Sequence, residues 1–135
     1  MEVTVGSIKI KPIKVNHTVP SVGYIIKNNN SAFVYTGDTG ITDKLWEEAV
    51  KEPNIRFVIA EVSFPNSMED IANASKHMTP HNLGEVIRKF NRDNIKFFVS
   101  HIKPQYMKEI KAELKELNDL YSCISVLELN DVIEW

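Results

Sequence analysis

Only one cysteine, Cys123, stands among the 135 residues, so no internal disulfide can form and the fold must be held by its core. Glycine and proline are sparse, five and six residues, which excludes collagen-like and Pro/Gly-rich disordered chains. No apolar run approaches the ~20 residues that span a bilayer. The opening Met-Glu-Val-Thr-Val also lacks the basic and apolar stretches of a secretory leader. A soluble, cytoplasmic protein without a membrane partner is expected. An excess of positive charge is missing too. Sixteen basic residues oppose eighteen acidic ones, a formal charge of −2, so the basic footprint that phosphate backbones demand is absent and nucleic acid is not an expected partner. What is present is ordinary globular material, 43% apolar and 25% charged. That is enough chain for one domain over residues 1–135, burying roughly two-thirds of its unfolded surface.

Hydrophobic periodicity divides the chain in two. The first third is rich in short β-type runs, Ser7 to Val15, Gly23 to Lys27 and Ala32 to Thr36. The Asn28-Asn29-Asn30-Ser31 cluster makes the last two a hairpin. From Thr42, a plausible N-cap, the period turns helical, with Leu45, Trp46 and Ala49 on one face and Pro53-Asn54 as the stop. Arg56 to Val62 is a nearly continuous apolar run of the kind buried on both faces in a parallel sheet. Thr79-Pro80 then starts a helix carrying Leu83, Val86, Ile87 and Phe90. Ile95 to Ser100 is another buried strand, and a Lys/Glu-rich helix follows with Met107, Ile110, Leu114 and Leu117 on one side. Ile124 to Leu129 and Val132 to Trp135, around an Asn130-Asp131 turn, read as a closing hairpin. The pattern predicts one α/β unit with no repeat or linker.

Residues able to bind metal or move protons stand directly after predicted strands: His17, Asp38, Glu61 to Ser63 and His101. Open α/β sheets bind ligands at those carboxyl ends, and two imidazoles with a carboxylate at one rim form a metal-site constellation. Each has a plainer alternative. A histidine at a strand end is often a surface or hydrogen-bonded loop residue, and Gly37-Asp38-Thr39-Gly40 also fits an ordinary turn. His77 and His81 read as loop and surface residues, and Cys123 as a core thiol within a strand. Glu61 is harder to dismiss, because a carboxylate ending an apolar strand needs donors or a cation, and orienting a ligand histidine would supply them. No Gly-rich phosphate loop or Gly-x-Ser-x-Gly elbow is present.

The order of segments HTVPSVGYII from His17, YTGDTG from Tyr35, EVSFPN from Glu61, KHMTP from Lys76 and VSHIKPQY from Val99 resembles the class II cyclic-nucleotide phosphodiesterases of the metallo-β-lactamase superfamily. The resemblance covers essentially the whole chain. It implies the C-terminal half of an αββα sandwich, a mixed β-sheet with helices on one face. It also implies that His17 is a ligand of a first metal, that Asp38 bridges two metals, that His101 is a ligand of the second, and that His77 helps proton transfer to the leaving oxygen. Two divalent ions, zinc foremost with manganese or iron as alternatives, would support hydrolysis of a cyclic nucleotide such as cyclic AMP, or of another small phosphodiester. The His-x-His-x-Asp-His motif of the family's first half does not occur in these residues. The chain alone is therefore expected to be inactive and to form a homodimer or pack against an N-terminal half-domain. Two alternatives are a relative of the tRNA 3′-end endonucleases, which the short segment from Gly23 to Gly37 and the charge balance disfavour, and a non-catalytic half-domain that associates with another chain.

Overall fold

The computed structural model describes residues 1–135. Strands β1 (Val3–Val5), β2 (Ile8–Val15), β3 (Ser21–Lys27) and β4 (Ala32–Tyr35) form an antiparallel meander. Strands β5 (Ile55–Glu61), β6 (Lys96–Ser100) and β7 (Ile124–Val126) continue it in parallel, so the seven strands lie in sequence order in one sheet. Local chemistry explains the change of mode. Short polar turns close the meander: Asn28 Oδ1 accepts the backbone N–H groups of Asn30 and Ser31, each at 2.8 Å, between β3 and β4. Parallel neighbours instead need crossovers, supplied by α1 (Asp43–Val50), by α2 (Glu69–Ser75) with α3 (Pro80–Phe90), and by α4 (Met107–Tyr121). Successive crossovers that advance one way across a sheet put their helices on the same face.

That face holds the core of 22 buried residues, among them Ile25, Val34, Leu45, Val58, Leu83, Phe97, Val99, Ile110 and Leu114. Helix α3 starts where Thr79-Pro80 predicts. Thr79 Oγ1 accepts the Asn82 N–H while Asn82 Oδ1 accepts the Thr79 N–H, a reciprocal cap. At α1, Thr42 occupies the cap position, but its hydroxyl accepts the Asn16 N–H at 2.8 Å and tethers the β2–β3 connection.

The opposite face carries rows of cross-strand partners, Ile10–Ile26–Phe33–Phe57 and Pro12–Tyr24–Tyr35–Ile59–Phe98. Phe33 stacks on Phe57 with ring centroids 4.7 Å apart. No helix covers these rows, and Val22 and Tyr35 are exposed.

Three expectations are corrected. The closing hairpin does not form: β7 pairs in parallel with β6, residues 132–135 form no strand, and Trp135 turns its ring edge onto Phe33 at 4.8 Å. An apolar face with no helix on it draws the tail more strongly than a two-stranded pairing would. Cys123 lies just before β7 rather than within a strand, and burial pushes its thiol up. Strand β1 and helix α2 are additional to the predicted elements.

Candidate metal centre

Strands β2, β4, β5 and β6 run the same way, because two antiparallel steps separate β2 from β4 and the others pair in parallel. Their carboxyl ends therefore share one rim, and the residues following them meet there: His17 after β2, Asp38 after β4, Glu61 to Ser63 at the end of β5, and His101 after β6. The segment after α2 adds His77 from the side.

Backbone conformation fixes these approaches. Gly37 has φ +60°, and a Cβ there would lie 3.2 Å from the Val22 carbonyl oxygen, so the turn presenting Asp38 takes glycine. Lys76 closes α2 at φ +58°, which aims its carbonyl at His17 Nδ1, 3.1 Å away. His101 itself sits at φ +63°.

Glu61 organises the interior of the rim. It is 1% exposed and takes two donors on each oxygen. Oε1 accepts the Thr39 N–H at 3.0 Å and His77 Nδ1–H at 2.5 Å. Oε2 accepts the Met78 N–H at 3.0 Å and the Ser63 hydroxyl at 2.8 Å. One carboxylate thus joins three loops, those of Asp38, Ser63 and His77.

The imidazoles form a chain above it. His17 and His77 meet edge to face with centroids 5.1 Å apart, and His77 stacks on His101 at 5.4 Å and 27°. Asp38 Oδ1 lies 3.4 Å from His101 Nδ1, and both residues are nearly half exposed. Glu61, His77 and His101 each offer an atom within 4.8 Å of the others, a spacing suited to one metal ion. Glu61, however, already has all four acceptor positions filled, which makes it an orienting group for the histidines rather than a ligand. The donor set that faces the rim fits a divalent cation. Nδ1 of His17 is held by a backbone carbonyl and Nδ1 of His77 by a carboxylate, while the Nε2 atoms of His17, His77 and His101 carry no hydrogen bond. An imidazole tied through one nitrogen and free at the other is the usual state of a metal-binding histidine.

Every residue singled out from the sequence for this site lies at the rim. His81 is elsewhere, on the surface of α3, where it faces Glu85. Ser63 falls within the polar group from Glu61 that sequence reasoning marks, but is given no role of its own. The available signal was its position two residues beyond Glu61, which in an extended chain puts both side chains on one side.

Beyond this geometry, the Lactamase_B_2 family, described as a beta-lactamase superfamily domain, matches residues 1–102, and the chain belongs to the metallo-β-lactamase superfamily. A Yersinia pestis protein named "Probable 3',5'-cyclic-nucleotide phosphodiesterase" is 30% identical over 137 aligned residues, covering 83% of this chain and 40% of that protein. The metallo-β-lactamase fold protein YhfI of Bacillus subtilis superposes with a TM-score of 0.81 at 18% identity, over 99% of this chain and 52% of its own. The short form of human tRNase Z superposes at 0.71 with 16% identity, over 98% of this chain and 45% of its own. These likenesses carry the fold. The chain spans about two-fifths of the curated relative and half of the first of these structures. No helix is long and apolar enough to cross a membrane.

Proposed function

We propose that this chain supplies one side of a two-metal centre for phosphodiester hydrolysis, with a 3′,5′-cyclic nucleotide as the substrate class. The observation that carries the reading is the convergence of three imidazoles and one carboxylate at a single sheet rim, with the Nδ1 atoms tied down and the Nε2 atoms free. Residues 1–135 are read as the C-terminal half of an αββα sandwich. The kinship to a protein named as a probable cyclic-nucleotide phosphodiesterase supports the substrate class. So does a net charge of −2, which is poorly suited to a large polyanion such as tRNA.

Bound divalent ions, zinc or alternatively manganese or iron, would supply Lewis-acid stabilisation of charge developing on the phosphoryl oxygens. His17 and His101 would hold them through Nε2, and Asp38, exposed between the loops, would bridge them. His77 has a different task. Its Nδ1–H is committed to Glu61, so Nε2 is the atom that would carry a proton to the departing 3′ or 5′ oxygen, with the carboxylate stabilising the charged imidazole. Phe64 lies beside this histidine with ring centroids 5.9 Å apart, and Tyr106 packs on Phe64 at the same distance.

A hydrolytic zinc site uses three protein ligands and a water on each ion. His17, Asp38 and His101 cannot complete two such shells. The remaining ligands are assigned to polypeptide outside these 135 residues, an N-terminal half-domain or a second copy, packed on the helix-free face of the sheet around the exposed Val22 and Tyr35. The test is complementation. Mixed with a polypeptide carrying a His-x-His-x-Asp-His stretch, the chain should recover cyclic AMP hydrolysis. His17→Ala and Asp38→Ala should each return the activity to background, and His77→Ala should lower kcat about 10²- to 10⁴-fold. Full activity in the His17 and Asp38 variants would remove them from the site.

A further inference from the structure

We infer that Ser63 is a positioning residue whose hydroxyl selects the tautomer of His101, leaving the Nε2 lone pair of that ring free at the rim. The consequence for metal binding rests on the function proposed above, whereas the tautomer assignment stands on hydrogen-bond accounting alone.

Ser63 is fully buried, and its Oγ lies 2.8 Å from Glu61 Oε2, 2.8 Å from His101 Nδ1 and 3.2 Å from His77 Nδ1, whose own hydrogen is directed at Glu61 Oε1. A hydroxyl has one proton to give. As a carboxylate, Glu61 has no proton to give, so both its oxygens only accept, and each already takes a backbone N–H, Thr39 on Oε1 and Met78 on Oε2. The Ser63 proton therefore goes to Oε2. Towards His101 only oxygen lone pairs remain, so Nδ1 must bring the hydrogen, and in a neutral imidazole the lone pair then resides on Nε2.

Nothing else around His101 can set this choice as firmly. The ring is 43% exposed, and its other neighbour at Nδ1, Asp38 Oδ1, is 3.4 Å away and itself 46% exposed. The left-handed backbone at φ +63°, which few non-glycine residues adopt, delivers the ring onto Ser63. His77 obeys the same carboxylate directly. Two imidazoles on different loops thus take their orientation from Glu61, one in contact with it and the other through the Ser63 hydroxyl.

The experiment uses the metal-free 135-residue chain with ¹⁵N-labelled histidine, at about pH 8 where an ordinary imidazole is neutral. Long-range ¹H–¹⁵N correlations report which ring nitrogen carries the proton. The wild type should show His101 as the Nδ1–H tautomer. Ser63→Ala should shift it to a mixed or Nε2–H population, Ser63→Thr should restore it, and Asp38→Asn should leave it unchanged. If Ser63→Ala fails to fold, Ser63→Cys, a weak acceptor of similar size, serves for the same readout. A Mn²⁺ titration should show Ser63→Ala binding about 10- to 100-fold more weakly than wild type, with Ser63→Thr close to wild type. A wild-type His101 in the Nε2–H form, or one that stays Nδ1–H in the alanine variant, would overturn the inference. Absence of Mn²⁺ binding by the wild type would instead count against the metal centre, and the tautomer result would still decide the role of Ser63.

Discussion

A carboxylate buried to 1% exposure is tolerable only because four donors surround it. Removing Glu61 should therefore cost more than its size suggests. Glu61→Ala orphans two backbone amides, a hydroxyl and a ring N–H, and we expect a loss of about 3–5 kcal/mol in urea unfolding, the range for breaking a buried charged partnership. A cost below about 1 kcal/mol would mean that water replaces the carboxylate readily, and Glu61 would lose its place as organiser of the rim. At this scale the sequence was partly legible. His17, Asp38 and His101 stand out because they follow strands, and Glu61 because a charge ends an apolar run. His77 and Ser63 do not stand out by composition. Their importance comes from which oxygen and which nitrogen lie within hydrogen-bond reach, a relation between loops more than ten residues apart in the chain.

Among the elements, α1 and α3 are secured by opposite means. The reciprocal cap at Thr79 fixes where α3 begins, and Thr79→Ala should destabilise the protein by about 1 kcal/mol, read from the urea midpoint. Helix α1 is pinned to β2 by charge. Lys11 Nζ lies 2.6 Å from Glu48 Oε2 and Lys51 Nζ 2.8 Å from Oε1, and the hydrogen bond from Lys11 is the leading reason the Glu48 carboxyl falls from an ordinary 4.5 to about 2. On acidification the unfolded chain takes up this proton first, so stability conferred by Glu48 is complete above about pH 4.5 and lost as the pH falls towards about 2. Acid unfolding of Glu48→Gln should lack that part of the pH dependence, and an unchanged profile would show that the pair adds nothing to folding. Elements with a strong period were readable in advance: the β3–β4 hairpin, α3, α4, β5 and β6. Strand β1 was not, since three exposed edge residues carry too little alternation to register. The tail from Val132 to Trp135 has the alternation of a strand, yet tertiary packing onto Phe33 overrides it.

The molecule as a whole has two unlike sides. One face of the sheet is sealed by helices over the core. The other offers Val22, Tyr35 and the Phe33–Phe57–Phe98 ladder, covered only by the tail. Contiguous exposed apolar patches mark interaction sites in other proteins, and self-association is the outcome to test here. Light scattering at tens of micromolar should find the isolated chain self-associated, and the double variant Val22→Lys, Tyr35→Lys should weaken that association by about tenfold or more, equivalent to ~1.4 kcal/mol. A wild-type chain that stays monomeric would argue against a second copy on this face. The sheet order and the common rim follow from predictable crossovers, whereas the open face becomes visible only once the helices are seen to lie on one side. The claim on which the account turns is that the rim gathers imidazoles for a divalent ion, and His81, outside the cluster, is a built-in control. Paramagnetic Mn²⁺ titrated into the ¹⁵N-histidine-labelled chain should broaden the ring signals of His17, His77 and His101 together, well before that of His81. Equal broadening of all four, or of His81 first, would contradict it.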